Sequence, residues 1–272
     1  MSKTNKKREK LPVILAVANQ KGGVGKTTTA INLGTALAAV GRKVLLIDLD
    51  SQGNASTGLG ISPDQRKLTT YDLLLGDTKL SDIAQETMIP NLFIAPSTND
   101  LSSADVDMVN DPNRVLRLRQ ALSSTDALAC NFDYILIDCP PSLNLLTVNA
   151  MVAATSVLVP LQCEFFALEG LSQLMMTIKE VKQSLNPKLG IQGIVLTMYD
   201  RRNNLSRQVE EDVRDNLGDL VYETIIPRNV RLSEAPSHSI PALIYDHRSS
   251  GSIAYQKLAA ELLRRMNDNV TD

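Results

Sequence analysis

Apolar residues in this chain gather into short runs separated by longer mixed stretches. Runs at about 12–18, 43–48, 91–95, 133–138, 156–161, 190–198 and 221–226 read as buried strands. Between them, stretches at about 26–40, 113–129, 144–153, 168–185 and 206–217 read as helices, and a last helix is expected at about 252–266. Strands that alternate with helices predict an α/β fold: a single doubly wound, mainly parallel sheet flanked by helices. Ligands of such sheets sit beyond the carboxyl ends of the strands, so residues just after a strand are the first candidates for chemistry. No repeat and no Gly/Ser linker divides the chain, and residues 11–266 are expected to form one domain.

The first strand is followed by Gln20-Lys21-Gly22-Gly23-Val24-Gly25-Lys26-Thr27-Thr28 and then by a helical stretch. Strand, glycine loop and helix are the setting that a phosphate-binding loop requires. Gly22, Gly23 and Gly25 let backbone N–H groups approach phosphate oxygens, and the helix beginning near Lys26 adds free amides and its positive dipole end. The stretch Lys21 to Thr28 is therefore the expected ATP cradle. Lys26 is placed to pair with the β- and γ-phosphates, and the Thr27 hydroxyl to ligate Mg²⁺. The loop is altered, since Gln20 stands where the usual pattern has glycine and a second lysine, Lys21, follows it. Asp138 ends an apolar strand, where a carboxylate can hold the water shell of Mg²⁺; a turn or cap residue is the plainer reading. Asp48 and Asp50 close the second strand, and the two-residue period puts both on one face. Asp48 is expected to support the magnesium shell or the backbone after it, with an ordinary structural hydrogen bond as the alternative.

The loop, together with Val44–Asn54, Tyr134–Ser142 and Ile226–Ser237, resembles the ParA/MinD group of deviant Walker A P-loop ATPases, and within it the chromosomal ParA (Soj) type. The resemblance runs over roughly 11–265, and it departs at Ser51, where the family usually has proline. It implies an ATPase, slow without its partner, in which ATP joins two copies into a homodimer. The position of Asp50 orients the attacking water. Lys21 reaches across to the other copy's phosphates; its bland alternative is a lysine that only raises the local potential. Pro227, Arg228 and Asn229 flank the adenine. Glu164 falls near the dimer interface or starts a helix. Arg202 and Arg231, with Arg201 and Arg228 beside them, bind double-stranded DNA without sequence preference; otherwise they are solvated arginines paired with Glu210, Glu211 or Asp212. A ParB-type centromere-binding protein stimulates hydrolysis, and the protein is cytoplasmic and nucleoid-associated.

Charge narrows the picture. The net charge is −2, so DNA contact would have to come from a local patch rather than from a basic protein overall. Residues 1–10 carry Lys3, Lys6, Lys7, Arg8 and Lys10 and are expected to be a solvated basic tail; 267–272 are expected to be a polar tail. Cys130, Cys139 and Cys163 have no metal-ligand spacing and read as reduced, buried thiols. No run is long enough to span a membrane, and none is expected as a partner. The alternative is a MinD-like membrane-associated positioning ATPase, which needs a basic amphipathic C-terminal helix. Here Ile253, Leu258, Leu262 and Leu263 have core-like spacing instead. A repressor's N-terminal helix-turn-helix has no room before a strand that starts at about residue 12.

Overall fold

The computed structural model describes residues 11–164 and 167–268. Both expected tails, 1–10 and the last four residues of 267–272, lie outside the described residues. Seven strands form one sheet: β1 Val13–Val17, β2 Val44–Asp48, β3 Gln85–Glu86, β4 Leu92–Ala95, β5 Tyr134–Asp138, β6 Ser156–Gln162 and β7 Gly190–Thr197. Their order is β3-β4-β2-β5-β1-β6-β7, and every pair is parallel except β3 with β4. The expected doubly wound sheet is thus present.

The central strands show why the apolar runs were continuous. β2 and β5 are buried at every position, because helices cover both faces of the sheet. Val44 and Leu46 face one core, with Leu33 and Leu37 of the helix Lys26–Ala39 and Leu258 and Leu262 of the final helix Ser250–Asp268. Leu45 and Ile47 face the other, with Met151 of the helix Leu145–Ala153 and Leu174 and Ile178 of the helix Ala167–Ser184. Each such Leu or Ile contributes about 1.5–3 kcal/mol relative to exposure. Cys139 and Cys163 are buried as expected, whereas Cys130 is only partly so. Burial pushes the Cys163 thiol up to about 12 and the Cys139 thiol higher still, with the Asp138 carboxylate beside it acting in the same direction.

Two expectations need correction, and one strand was not foreseen. Residues 221–226 are not a continuous strand: they meet β7 at one isolated bridge, Ile194 to Val221, and through the Tyr222 and Ile226 amides, which donate to Ile194 O and Leu196 O at 2.8 Å each. The amides of Glu223 and Thr224 turn away from the sheet and donate to the Glu261 carboxylate at 2.9 Å each. The stretch 113–129 is two short helices, Arg117–Leu122 and Thr125–Ala129, because Ser124 accepts from the Ala127 amide at 3.1 Å and starts a new helix. The two-residue β3, an antiparallel edge, had no apolar run to announce it.

Candidate active site

The phosphate loop leaves β1 in the middle of the sheet, between β5 and β6. Asn19 sets its first turn: its side-chain amide donates to Pro160 O at 2.8 Å and its oxygen accepts from the Lys21 amide at 3.0 Å. Gln20 donates to Gly170 O at 3.1 Å and to Gln173 Oε1 at 2.9 Å, which ties the loop to the helix Ala167–Ser184. The Thr197 hydroxyl, at the end of β7, donates to Val24 O at 2.9 Å. Gly25 has φ +86° and precedes the helix directly, a left-handed turn that favours glycine. Three neighbouring elements therefore hold one loop, and its amides stand at a helix N-terminus suited to phosphate.

Lys26 is buried, with Nζ donating to Lys21 O at 3.1 Å. Burial lowers its pKa, while the carboxylates of Asp138 and Asp50 and the Cys139 thiol oppose that shift. Asp138 lies opposite Val17 on one side and Asp48 on the other. Both of its oxygens are buried, and among the described residues neither has a hydrogen-bond partner. Desolvation raises its pKa well above the carboxylate range and the Asp48 charge adds to this; the nearby Thr27 hydroxyl and the Lys26 ammonium relieve it in part. A buried, unpartnered carboxylate beside a lysine and a threonine hydroxyl suits the water shell of a divalent cation.

Asp48 differs from its neighbour. Its Oδ2 accepts from the Ser56 amide at 2.8 Å and the Ser56 hydroxyl at 2.7 Å, and its Oδ1 accepts from the Asp50 amide at 3.2 Å. Desolvation still pushes its pKa up to about 6 against these bonds. β2 ends at Asp48, so Asp50 sits in the following turn rather than on the same strand face. That turn is closed by Gly53 N donating to Asp50 O at 2.9 Å and by Gln52 N donating to Asp50 Oδ1 at 3.0 Å.

Lys21 is partly exposed at the loop's mouth, and its Nζ donates to Glu164 Oε2 at 2.6 Å. Glu164 also accepts from the Gln162 side-chain amide. Beside it a cavity of about 420 Å³ runs past Gly25, Thr28, Met198, Pro227, Arg228 and Asn229. The structure thus brings the late loop residues Pro227, Arg228 and Asn229 to the start of the phosphate-loop helix.

The four arginines do not all stand free. Arg202 is exposed but pairs with Asp200 at 3.2 Å, and Arg231 pairs with Glu234 at 2.7 Å and Asp246 at 3.5 Å, its guanidinium 6.0 Å from the Tyr245 ring centre. Among the described residues Arg201 and Arg228 form no ion pair. Glu210 pairs with Arg214 instead. Arg201 and Arg228 share one groove of about 730 Å³ with Tyr199 and Lys257. Sequence reasoning did not assign roles to Asn19, Ser56, Arg66, Ser97 or Thr197; Asn19, Ser97 and Thr197 are polar residues at or just past strand ends, whereas Ser56 and Arg66 lie away from any strand end and carry no such signal.

A family model described as an AAA domain matches residues 13–191. A chromosome partitioning protein ParA from Caulobacter vibrioides is 60% identical over 94% of this chain and 95% of its own. The sporulation initiation inhibitor protein Soj of Bacillus subtilis is 51% identical over 92% of this chain and 97% of its own. Among solved structures, a cobyrinic acid a,c-diamide synthase from Mycobacterium smegmatis with bound ADP and magnesium superposes with a TM-score of 0.82 at 39% identity, over 95% of this chain and 96% of that one.

Proposed function

Because this chain belongs to the ParA/Soj family of chromosome-partitioning ATPases, we propose that it is an ATP-dependent dimerising switch that binds duplex DNA. ATP and Mg²⁺ are its cofactors. In this reading ATP joins two copies, the dimer binds DNA non-specifically on the nucleoid, and a ParB-type centromere-binding protein stimulates hydrolysis and release. The observation that carries it is the pair of lysines on one loop. Lys26 is buried beside Asp138 and serves the chain's own nucleotide, while Lys21 is half-exposed at the mouth, where its ammonium pairs with Glu164. A cation so placed can meet phosphate on a second copy, which makes dimerisation depend on ATP.

The remaining roles belong to the same reading. The loop amides and Lys26 bind and orient the phosphates. Thr27 and Asp138 would hold Mg²⁺, and Asp48 anchors the backbone through Ser56 and Asp50 rather than facing the ion. The ion, when bound, offsets charge on the phosphates. Asp50 orients the water, while Pro227, Arg228 and Asn229 border the adenine. Positioning and charge stabilisation, not strong basicity, supply most of the rate in such reactions.

The membrane alternative calls for an amphipathic C-terminal helix free to meet lipid, whereas the final helix places Ala254, Tyr255, Leu258, Ala259 and Leu262 in the core. The deciding experiment is binding to non-specific duplex DNA with ATP·Mg²⁺, with ADP·Mg²⁺ and without nucleotide. Binding with ATP alone, lost as salt rises, supports the switch. Absence of binding in all three states sinks the DNA role.

A further inference from the structure

We propose that Arg66 is a positioning residue for ATP hydrolysis, clamping the backbone that carries Asp50. The proposal rests on the reading of Asp50 as the residue that orients water. It comes from how the segment after β2 is held. Its inner anchor is Asp48, through Ser56 and the Asp50 amide. Its outer anchor is Arg66, which lies outside every motif that pointed to the nucleotide.

The half-buried guanidinium of Arg66 makes four hydrogen bonds, all to neutral groups of the surrounding loops. Nε and Nη2 donate to Ile61 O at 3.1 and 2.7 Å, Nη2 to Thr57 Oγ1 at 2.7 Å, and Nη1 to Ser97 O at 3.1 Å. Thr57 lies on the short helix Asn54–Gly58, and its amide donates to Gly53 O at 3.0 Å. Gly53 in turn closes the Asp50 turn. Ser97 leads back to the inner anchor: its amide donates to Ser56 Oγ at 3.0 Å, the hydroxyl that donates to Asp48. Asp48, Ser56 and Ser97 are all fully buried. The bonds thus form a closed circuit around residues 50–57, with Arg66 bridging its two ends.

Gly53 shows how tightly the clamp sits. Its φ is +61°, and a Cβ there would stand 2.4 Å from Arg66 Nη1 and 2.9 Å from Ser97 O. The guanidinium therefore lies against the backbone of the Asp50 turn itself. An arginine used this way fixes geometry, because its planar fork presents several donors in set directions; a lysine offers a single point charge. Displacing a positioning backbone by about 1 Å can cost about a hundredfold in rate.

The test uses the full chain with ATP and Mg²⁺: kcat and KM, ATP affinity by titration, and thermal unfolding, for Arg66→Ala, Arg66→Lys, Asp50→Ala and the double variant. Arg66→Ala and Arg66→Lys are expected to lose about tenfold or more in kcat with KM and ATP affinity nearly unchanged. Guanidinium ion at millimolar levels should restore part of the rate to Arg66→Ala but none to Arg66→Lys. The double variant should be no slower than Asp50→Ala alone. Wild-type kcat in Arg66→Ala beside an inactive Asp50→Ala overturns the proposal and leaves the Asp50 reading intact. Wild-type kcat in Asp50→Ala overturns the Asp50 reading, and this proposal with it. Should Arg66→Ala fail to fold, Thr57→Val removes only one contact of the clamp, and an unchanged kcat there is equally fatal.

Discussion

Lys21 and Glu164 meet at 2.6 Å across the mouth of the phosphate loop, with 38% and 49% of their side-chain surfaces exposed. The ammonium proposed to act on a second copy is thus held by its own chain first. An exposed pair of this kind is worth about 0.2–1 kcal/mol, so Glu164→Gln should lower the ATP concentration for half-dimerisation by up to about fivefold. Sedimentation across an ATP series reads this directly. The gap between variant and wild type should narrow as salt screens the pair; a gap that widens with salt contradicts the idea.

Removing the lysine itself separates its two readings. Lys21→Ala should bind ATP with near-normal affinity, yet form no ATP-dependent dimers and lose about a thousandfold in hydrolysis, on the scale of other trans-acting cations. If full ATP dimers persist in the variant, Lys21 only raises the local potential.

Asp138 is a functional carboxylate that the fold tolerates at a cost. It is buried, has no hydrogen-bond partner among the described residues and lies beside Asp48. Replacing it by Asn removes that charge clash, so Asp138→Asn should be more heat-stable than wild type without nucleotide, by about 1–3 kcal/mol. The same variant should lose the Mg²⁺ dependence of ATP binding. Calorimetry showing a lower midpoint for the variant would argue that Asp138 stabilises the free protein.

The arginine patch predicts a salt signature. Arg202→Glu and Arg231→Glu should each weaken DNA binding in the ATP state on any sequence, and each lost phosphate contact should reduce the slope of log affinity against log salt by about 0.9. Arg202 must leave Asp200 to reach DNA, and Arg231 must leave Glu234. Asp200→Asn is therefore expected to tighten binding slightly. Unchanged affinity in Arg202→Glu and Arg231→Glu would place the DNA surface elsewhere.

Glu261 joins the final helix to the irregular 223–224 turn. Burial pushes its pKa up, but the hydrogen bonds from Thr224 and the Glu223 amide, with Arg265 at 2.8 Å, outweigh burial and leave it lowered. A lowered carboxylate stabilises the fold fully above its unfolded pKa and loses that contribution as pH falls through the folded value. Glu261→Gln should thus melt below wild type at neutral pH, by several degrees for about 1–2 kcal/mol. The difference should close in acid; a pH-independent difference would mean lost packing rather than lost charge.

The sheet was legible because β2 and β5 are apolar at nearly every position, and the phosphate loop because its spacing has few other uses. Asp138, like Asp48, was legible as a carboxylate ending such a run. The stretch 221–226 misled because Val221, Tyr222 and Ile226 are buried as strand residues would be, while the amides between them answer to Glu261, a residue far along the chain. Arg66 was invisible for a related reason. Its partners Thr57, Ile61 and Ser97 are ordinary residues, and their meeting depends on where β4 lies beside β2. The role of Asp48 likewise turns on Ser56, a contact that no pattern of spacing marks.

Cys139 follows Asp138 directly, and its thiol is sealed in the core. Thiols react as thiolates, and burial holds this one protonated as well as out of reach. Its alkylation can therefore proceed only during moments when the end of β5 comes apart. The chain carries its own stopwatch for breathing of the nucleotide site, with no added label, and bound ATP should slow that clock in proportion to its occupancy.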